Sequence, residues 1–185
     1  DEHGLKIYRK ALEEKKDLLQ EIAHSYIKKD IYEAGVRQDD IFYKLFKILA
    51  AQVGALVNSS ELSSTLGVSK TAIDHYLYIM QKSFHIHLIR PFFKNVRKEL
   101  TKMPKVYFYD LGLRNFFFNN FNQLVAREDR GALLENVVFR QLLEVLGEDE
   151  IKFWRTISKN EIDFIMDDEF ALEVKVDSRQ FKRSK

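Results

Sequence analysis

Apolar and polar residues alternate with a period of two in two short runs late in the chain, Glu161 to Met166 and Phe170 to Val176. That is the period of a half-buried strand, whose successive side chains point to opposite faces. Asp167, Asp168 and Glu169 between the runs are turn residues, so the unit is predicted to be a β-hairpin. A three-residue loop pairs Met166 with Phe170 and sets Asp163 opposite Glu173 and Glu161 opposite Lys175, with all four polar side chains on one face. A loop one residue shorter or longer slips the register and sends Asp163 to the other side.

Earlier in the chain the period is helical. Leu18, Ile22 and Tyr26, flanked by Leu19, Ala23 and Ile27, predict an amphipathic helix over roughly residues 5–29. Asp40 is placed to cap a helix through Ile41, Leu45, Phe46, Ile48 and Leu49. Asn58 to Ser60 start a short helix that turns Leu62 and Leu66 inward. Gly67 makes a turn, and Ser69 caps a third helix to about Lys82, with Ala72, Ile73, Tyr76, Leu77 and Met80 in period. A strand from His85 to Arg90, a basic loop and a second strand from Val106 to Tyr109 follow. Three helices and a strand pair in that order predict a winged helix-turn-helix. The Phe116 to Phe118 run reads as core, or as an interface between modules. From about Arg130, Leu133, Leu134, Val137, Val138, Leu142 and Val145 mark a helix ended by Gly147. A strand from Ile151 to Thr156 then leads into the hairpin.

Composition narrows the class. Of the 185 residues 45% are hydrophobic and 31% charged, which is globular rather than disordered. There is no cysteine, so disulfides and thiolate metal sites are excluded and a reducing cytoplasm is the expected location. No apolar run approaches the roughly 20 residues that span a bilayer, so no membrane is expected. With a formal net charge of +2, any nucleic-acid affinity must come from local patches.

Two patches qualify. The outer face of the third helix offers Lys70, Thr71, His75, Tyr78 and Lys82 beside the unfavourable Asp74. The wing loop adds Lys94, Arg97, Lys98, Lys102 and Lys105 against Glu99. These cations suit phosphate contact better than base readout, because no Arg or Asn sits on the helix face. DNA contact and a spacer or protein-docking role both remain open, since fold does not decide function. In the hairpin, Asp163 facing Glu173 is a repulsive pair that a divalent cation or a lysine relieves. Mg²⁺ or Mn²⁺ held there can activate water for phosphodiester cleavage, with Lys175 orienting that water. The other reading is a solvated hairpin face. His85 and His87 share a strand face but lack a third nearby ligand, which favours packing over metal binding. Trp154 is expected to pack against the hairpin, with a secondary phosphate role open to Arg155.

Asp163 with Glu173-x-Lys175 on a hairpin resembles the core motif of the PD-(D/E)XK nuclease superfamily, where a preceding helix often adds an acid. Glu135 would supply it here, although the helix dipole alone is reason enough for a carboxylate near that N-terminus. More narrowly, residues 25–175 resemble the domain of unknown function that follows the ATPase module in prokaryotic AAA-type ATP-binding proteins. The segments that carry this are Ser25 to Ile31, Leu66 to Ser69, Pro91 to Asn95, Pro104 to Leu113, Gly131 to Val138, Phe153 to Thr156 and Glu161 to Ile165. The resemblance implies a mixed α+β chain in three parts. Residues 1–38 are helices from an upstream ATPase domain, 39–125 a winged helix, and 126–185 a truncated nuclease-like core. Both ends are read as cut. With no phosphate loop in the sequence, ATP would belong to the upstream domain. The implied function is that of an ATPase C-terminal fragment, with a winged helix for DNA or domain docking and a Mg-dependent nuclease-type site. In that site Asp163, Glu173 and Glu135 hold the metal, and Lys175 acts with Asp163 and Glu173 in hydrolysis. The alternatives are an inactive regulatory or DNA-docking arm of the ATPase, or an interaction module with no nucleic-acid role.

Overall fold

The computed structural model describes residues 2–156, 158 and 160–177. It is a mixed α+β structure with, among the described residues, seven α-helices and one five-stranded sheet. The helices are α1 Glu2–Glu33, α2 Asp39–Ala51, α3 Ser59–Leu66, α4 Lys70–Lys82, α5 Val96–Thr101, α6 Leu111–Phe118 and α7 Arg130–Leu143. The strands β1 Ile86–Pro91, β2 Lys105–Phe108, β3 Ile151–Arg155, β4 Glu161–Met166 and β5 Phe170–Leu172 stand in the order β2-β1-β3-β4-β5. Neighbours are antiparallel except β1 and β3, which run parallel through Arg90–Lys152 and Pro91–Phe153.

Local chemistry explains most boundaries. Asn58 accepts from the N–H groups of Ser60 and Glu61, and Ser69 from that of Ala72, so both expected caps are in place. Gly67 closes α3 at a φ of 68°, where a Cβ is unfavourable. Asp40 is not a cap: it lies in the first turn of α2 behind Gln38, where its charge suits the dipole and pairs with Lys44 at 3.0 Å. The segment between β1 and β2 is not a plain loop, because Asn95 accepts from Lys98 N–H and starts the short helix α5. Helix α7 ends at Leu143, and Gly147 instead leads into the 3-10 turn Glu148–Glu150.

Of the two apolar stripes on α1, the structure buries one. Ala23, Ile27 and Ile31 are buried, whereas Leu18, Ile22 and Tyr26 face outward. The two stripes are one residue apart, about 100° of rotation, and packing against the rest of the chain selects between them. Asp30 on the buried side hydrogen-bonds His85 Nε2 at 2.7 Å, tying α1 to the start of β1.

Strand β2 is buried at every position. Val106 and Phe108 enter one core with Phe42, Phe46, Ile73 and Met80 of the N-terminal helices. There Phe117 stacks on Phe46 at 4.2 Å, so the middle of the aromatic run of α6 is core, with Phe116 and Phe118 packed partly buried against it. On the other face Tyr107 joins Ile89, Phe139, Ile151, Phe153 and Phe164. The outer edge of β2 is covered too. Gly54 N–H donates to Val106 O at 2.9 Å, and Val106 N–H donates to Ala55 O at 3.2 Å. Asn136 of α7 does the same at Phe108, accepting its N–H and donating to its carbonyl, each at 2.8 Å. A carboxamide here stands in for one residue of a further strand, so no edge group is left unpaired.

Candidate functional site

Two constraints converge on one point between α7 and the sheet. Lys105 and Tyr107 are two residues apart on β2, so they share the face that α7 covers. Glu135, beside the anchored Asn136, points its carboxylate at both. Tyr107 donates to Glu135 Oε1, and Lys105 Nζ lies 3.1 Å from the same oxygen. Strand β4 adds two more acids, with Glu161 Oε1 at 2.5 Å and Asp163 Oδ1 at 3.9 Å from that ammonium. The Lys105 side chain is 1% exposed and its Nζ sits 5.5 Å from the centre of the Phe153 ring. Arg155 on β3 reaches the other side of Glu161 at 3.1 Å.

Burial pushes the Glu135 carboxyl above its usual range, against the pull of Lys105 and Tyr107. Burial beside the same acids pushes the Tyr107 hydroxyl well up, which keeps it a proton donor to Glu135. Gly54 makes room for the group. A Cβ there would meet Glu135 Oε1 at 3.1 Å, and its φ of 75° disfavours any side chain.

The hairpin has the three-residue register, with Met166 opposite Phe170, and its turn places Asp167 and Asp168 at φ 50° and 58°. The ladder stops at Phe164–Leu172, one pair short of Asp163 and Glu173. Asp163 accepts the N–H of Val174 at 2.8 Å, so a side chain takes over where the strand pairing ends. Glu161, expected opposite Lys175, is instead held by Lys105 and Arg155. The structure thus gathers Asp163 and Glu135 around Lys105. Glu173 and Lys175 pair with each other at 3.7 Å, their side chains 45% and 29% exposed. Lys105, expected among the basic residues of the loop, is not available to phosphate. Strand β2 is buried on both faces, so its lysine is taken inward, a constraint set by the sheet and α7 rather than by the basic segment around it.

Lys70, Thr71, Lys94, Arg97, Lys98 and Lys102 are all exposed, around the start of α4 and along α5. Glu99 is engaged by Lys152 at 3.3 Å, and Lys152 also reaches Asp168 at 3.2 Å. His85 and His87 have separate acidic partners, Asp30 at 2.7 Å and Glu148 at 3.9 Å. Trp154 pairs with Ile162 across the sheet but stays 37% exposed.

Carboxylate oxygens are the donors Mg²⁺ or Mn²⁺ prefers, so Glu135, Glu161 and Asp163 fit such an ion chemically, and it would supply an activated water. The space between them holds the Lys105 ammonium, and among the described residues no three His, Cys, Asp or Glu side chains form a ready metal cluster. Nor, among those residues, is any helix long and apolar enough to cross a membrane.

Comparison with known proteins gives relatives without assigned roles. The chain is 26% identical over 146 residues to uncharacterized protein Rv2008c of Mycobacterium tuberculosis, covering 77% of this chain and 33% of that protein. The Mycobacterium bovis protein Mb2031c matches to the same extent. An uncharacterized protein of Haemophilus influenzae is 29% identical over 157 residues, 82% of this chain and 37% of its own. The chain therefore spans about a third of the length of these relatives. No solved structure matches it. Residues 130–184 match a domain of unknown function, DUF4143. Residues 6–124 match another, DUF8612, over more than half the chain, and the chain belongs to that family.

Proposed function

We propose that this chain is the C-terminal arm of a prokaryotic AAA-type ATP-binding protein, and that its carboxylate cluster is a closed ionic joint rather than a hydrolytic centre. The observation that carries this is Lys105. A buried ammonium is seated among Glu135, Glu161 and Asp163 and occupies the space between Glu135 and Asp163, two of the three acids expected to hold a metal. Attachment to an ATPase is supported by the DUF4143 match, a domain typically associated with AAA-type ATPases. The outward stripe of Leu18, Ile22 and Tyr26 on α1 suits a neighbouring part of a longer protein. The succession α2, α3, α4, β1, β2, with α5 between the two strands, supports reading this part as a winged helix for docking DNA or a domain.

A second reading, Mg²⁺-dependent phosphodiester hydrolysis, is favoured by one feature. Asp163 binds the backbone inside Glu173-Val174-Lys175, which keeps the nuclease-type motif next to the cluster. The deciding experiment is DNA cleavage by the full-length protein with Mg²⁺ or Mn²⁺, comparing wild type, Asp163→Ala and Lys175→Ala. The joint reading expects no cleavage above background from any of the three. Cleavage by the wild type that both substitutions abolish would establish the nuclease instead.

DNA docking is tested by affinity against salt concentration. Neutralising Lys94, Arg97 and Lys98 is expected to flatten the log–log slope by about one unit for each phosphate that is no longer neutralised. An unchanged slope would take α5 out of any DNA interface.

A further inference from the structure

We propose that Lys105 is a tethered counter-ion, filling from within the fold the cation position between Glu135, Glu161 and Asp163, so that its ammonium and a divalent ion exclude one another. This rests on the ionic-joint reading and names the residue that keeps the joint closed. Three carboxylates from α7 and β4 face two cations, Lys105 and Arg155, leaving one net negative charge. Exchanging the ammonium for a divalent ion would bring the group to neutrality, so charge does not oppose the exchange. Position does. The ammonium is fixed to β2 by a stem that is 1% exposed and passes Phe153, while Gly54 lies close against the Glu135 carboxylate. A cation attached to the fold competes at a high effective concentration, whereas a free ion must displace it at its bulk concentration. Lys105 therefore determines which cation the cluster takes. It is a positioning residue that holds α7, β2 and β4 to one centre.

Mn²⁺ binding to the full chain is the test, read by the electron paramagnetic resonance signal of free Mn²⁺ and by the melting temperature with Mn²⁺ or with chelator. Wild type should show no cluster-dependent uptake, meaning none that Glu135→Gln removes. Lys105→Met should take up Mn²⁺ at the cluster, on the order of tenfold or more tightly than any residual binding elsewhere on the wild type. Its melting temperature, lowered in chelator, should rise with Mn²⁺, and adding Glu135→Gln should abolish both effects. A second variant, Lys105→Gln with Glu161→Gln, keeps the net charge and covers the case in which Lys105→Met does not fold. It too should bind Mn²⁺ through Glu135 and Asp163. Wild-type uptake that Glu135→Gln removes, or no uptake by whichever variant folds, would overturn the proposal. DNA cleavage by wild type without such uptake would defeat the ionic-joint reading alone, so the two failures are distinguishable.

Discussion

Replacing Arg114 with leucine is expected to destabilise the chain by about 3–5 kcal/mol, read as a lower urea midpoint at unchanged slope. Its guanidinium is wholly buried; Nε donates to Ala50 O at 2.7 Å, in the last turn of α2, where helix carbonyls lack partners. Nη1 donates to Asp129 and, at 3.2 Å, to Asn115 Oδ1. Asp129 is shared with Arg127, whose Nε and Nη2 lie 2.8 and 2.7 Å away, and Arg127 also reaches Asn120 O at 2.6 Å. One carboxylate thus joins, through Arg114, the end of α2, the middle of α6 and the segment entering α7. Leucine leaves Asp129 short of a charge and the Ala50 carbonyl unpaired. Arg114→Lys keeps the charge but not the fork, so a smaller loss is expected. The network also sets an acid limit. Hydrogen bonds from Arg127 and Arg114 hold the Asp129 carboxyl at about 2, below its usual 3.8. A depressed carboxyl contributes stability above its unfolded value and loses it as pH falls through the folded one. About 2 kcal/mol should therefore disappear between about pH 4 and pH 2, and Asp129→Asn should remove that slope. A midpoint in Arg114→Leu within 1 kcal/mol of wild type would show that the network contributes no net stability.

What the sequence revealed depended on how local the cause was. Asn58, Ser69 and Gly67 act within one turn of the chain, so α3 and α4 were legible from their caps alone. The hairpin register was legible because its loop length fixes it, and Met166 does meet Phe170. The inward side of α1 was not. Leu18–Ile22–Tyr26 and Ala23–Ile27–Ile31 are equally periodic, and only the partner helix decides. The site failed for the same reason. Glu135 and Asp163 could be named as acids, but the cation that meets them comes from β2, 30 residues before Glu135. Within its own segment Lys105 belongs to a run of basic residues, and its neighbours Lys102 and Lys98 are exposed. Burial of both faces of β2 turns it inward, and that burial is a property of the sheet and α7 together. Arg114, Arg127 and Asp129 were missed because a lone charge in a short helix or in the segment entering α7 carries no period.

Asn136→Leu is the complementary prediction, with an expected loss of about 2–5 kcal/mol. The carboxamide is wholly buried and makes two 2.8 Å hydrogen bonds, both to the backbone of Phe108 on the outer edge of β2. Leucine nearly preserves volume, so the cost comes from one N–H and one C=O left without partners, about 1–3 kcal/mol apiece. Amide exchange at Phe108 should accelerate in the variant, whereas Gln141→Leu, on an exposed position of the same helix, should leave it unchanged. A loss below 1 kcal/mol with unchanged exchange at Phe108 would mean that water or a strand shift replaces the carboxamide. The effect also reaches the charged cluster. Asn136 fixes the height and rotation of α7 on β2, and Glu135, the preceding residue, meets Tyr107 and Lys105 only in that setting. Two adjacent side chains of one helix therefore hold a single strand by different means, Asn136 through its backbone and Glu135 through its side chains. Loosening the first of these should weaken the second even though no charge has been changed.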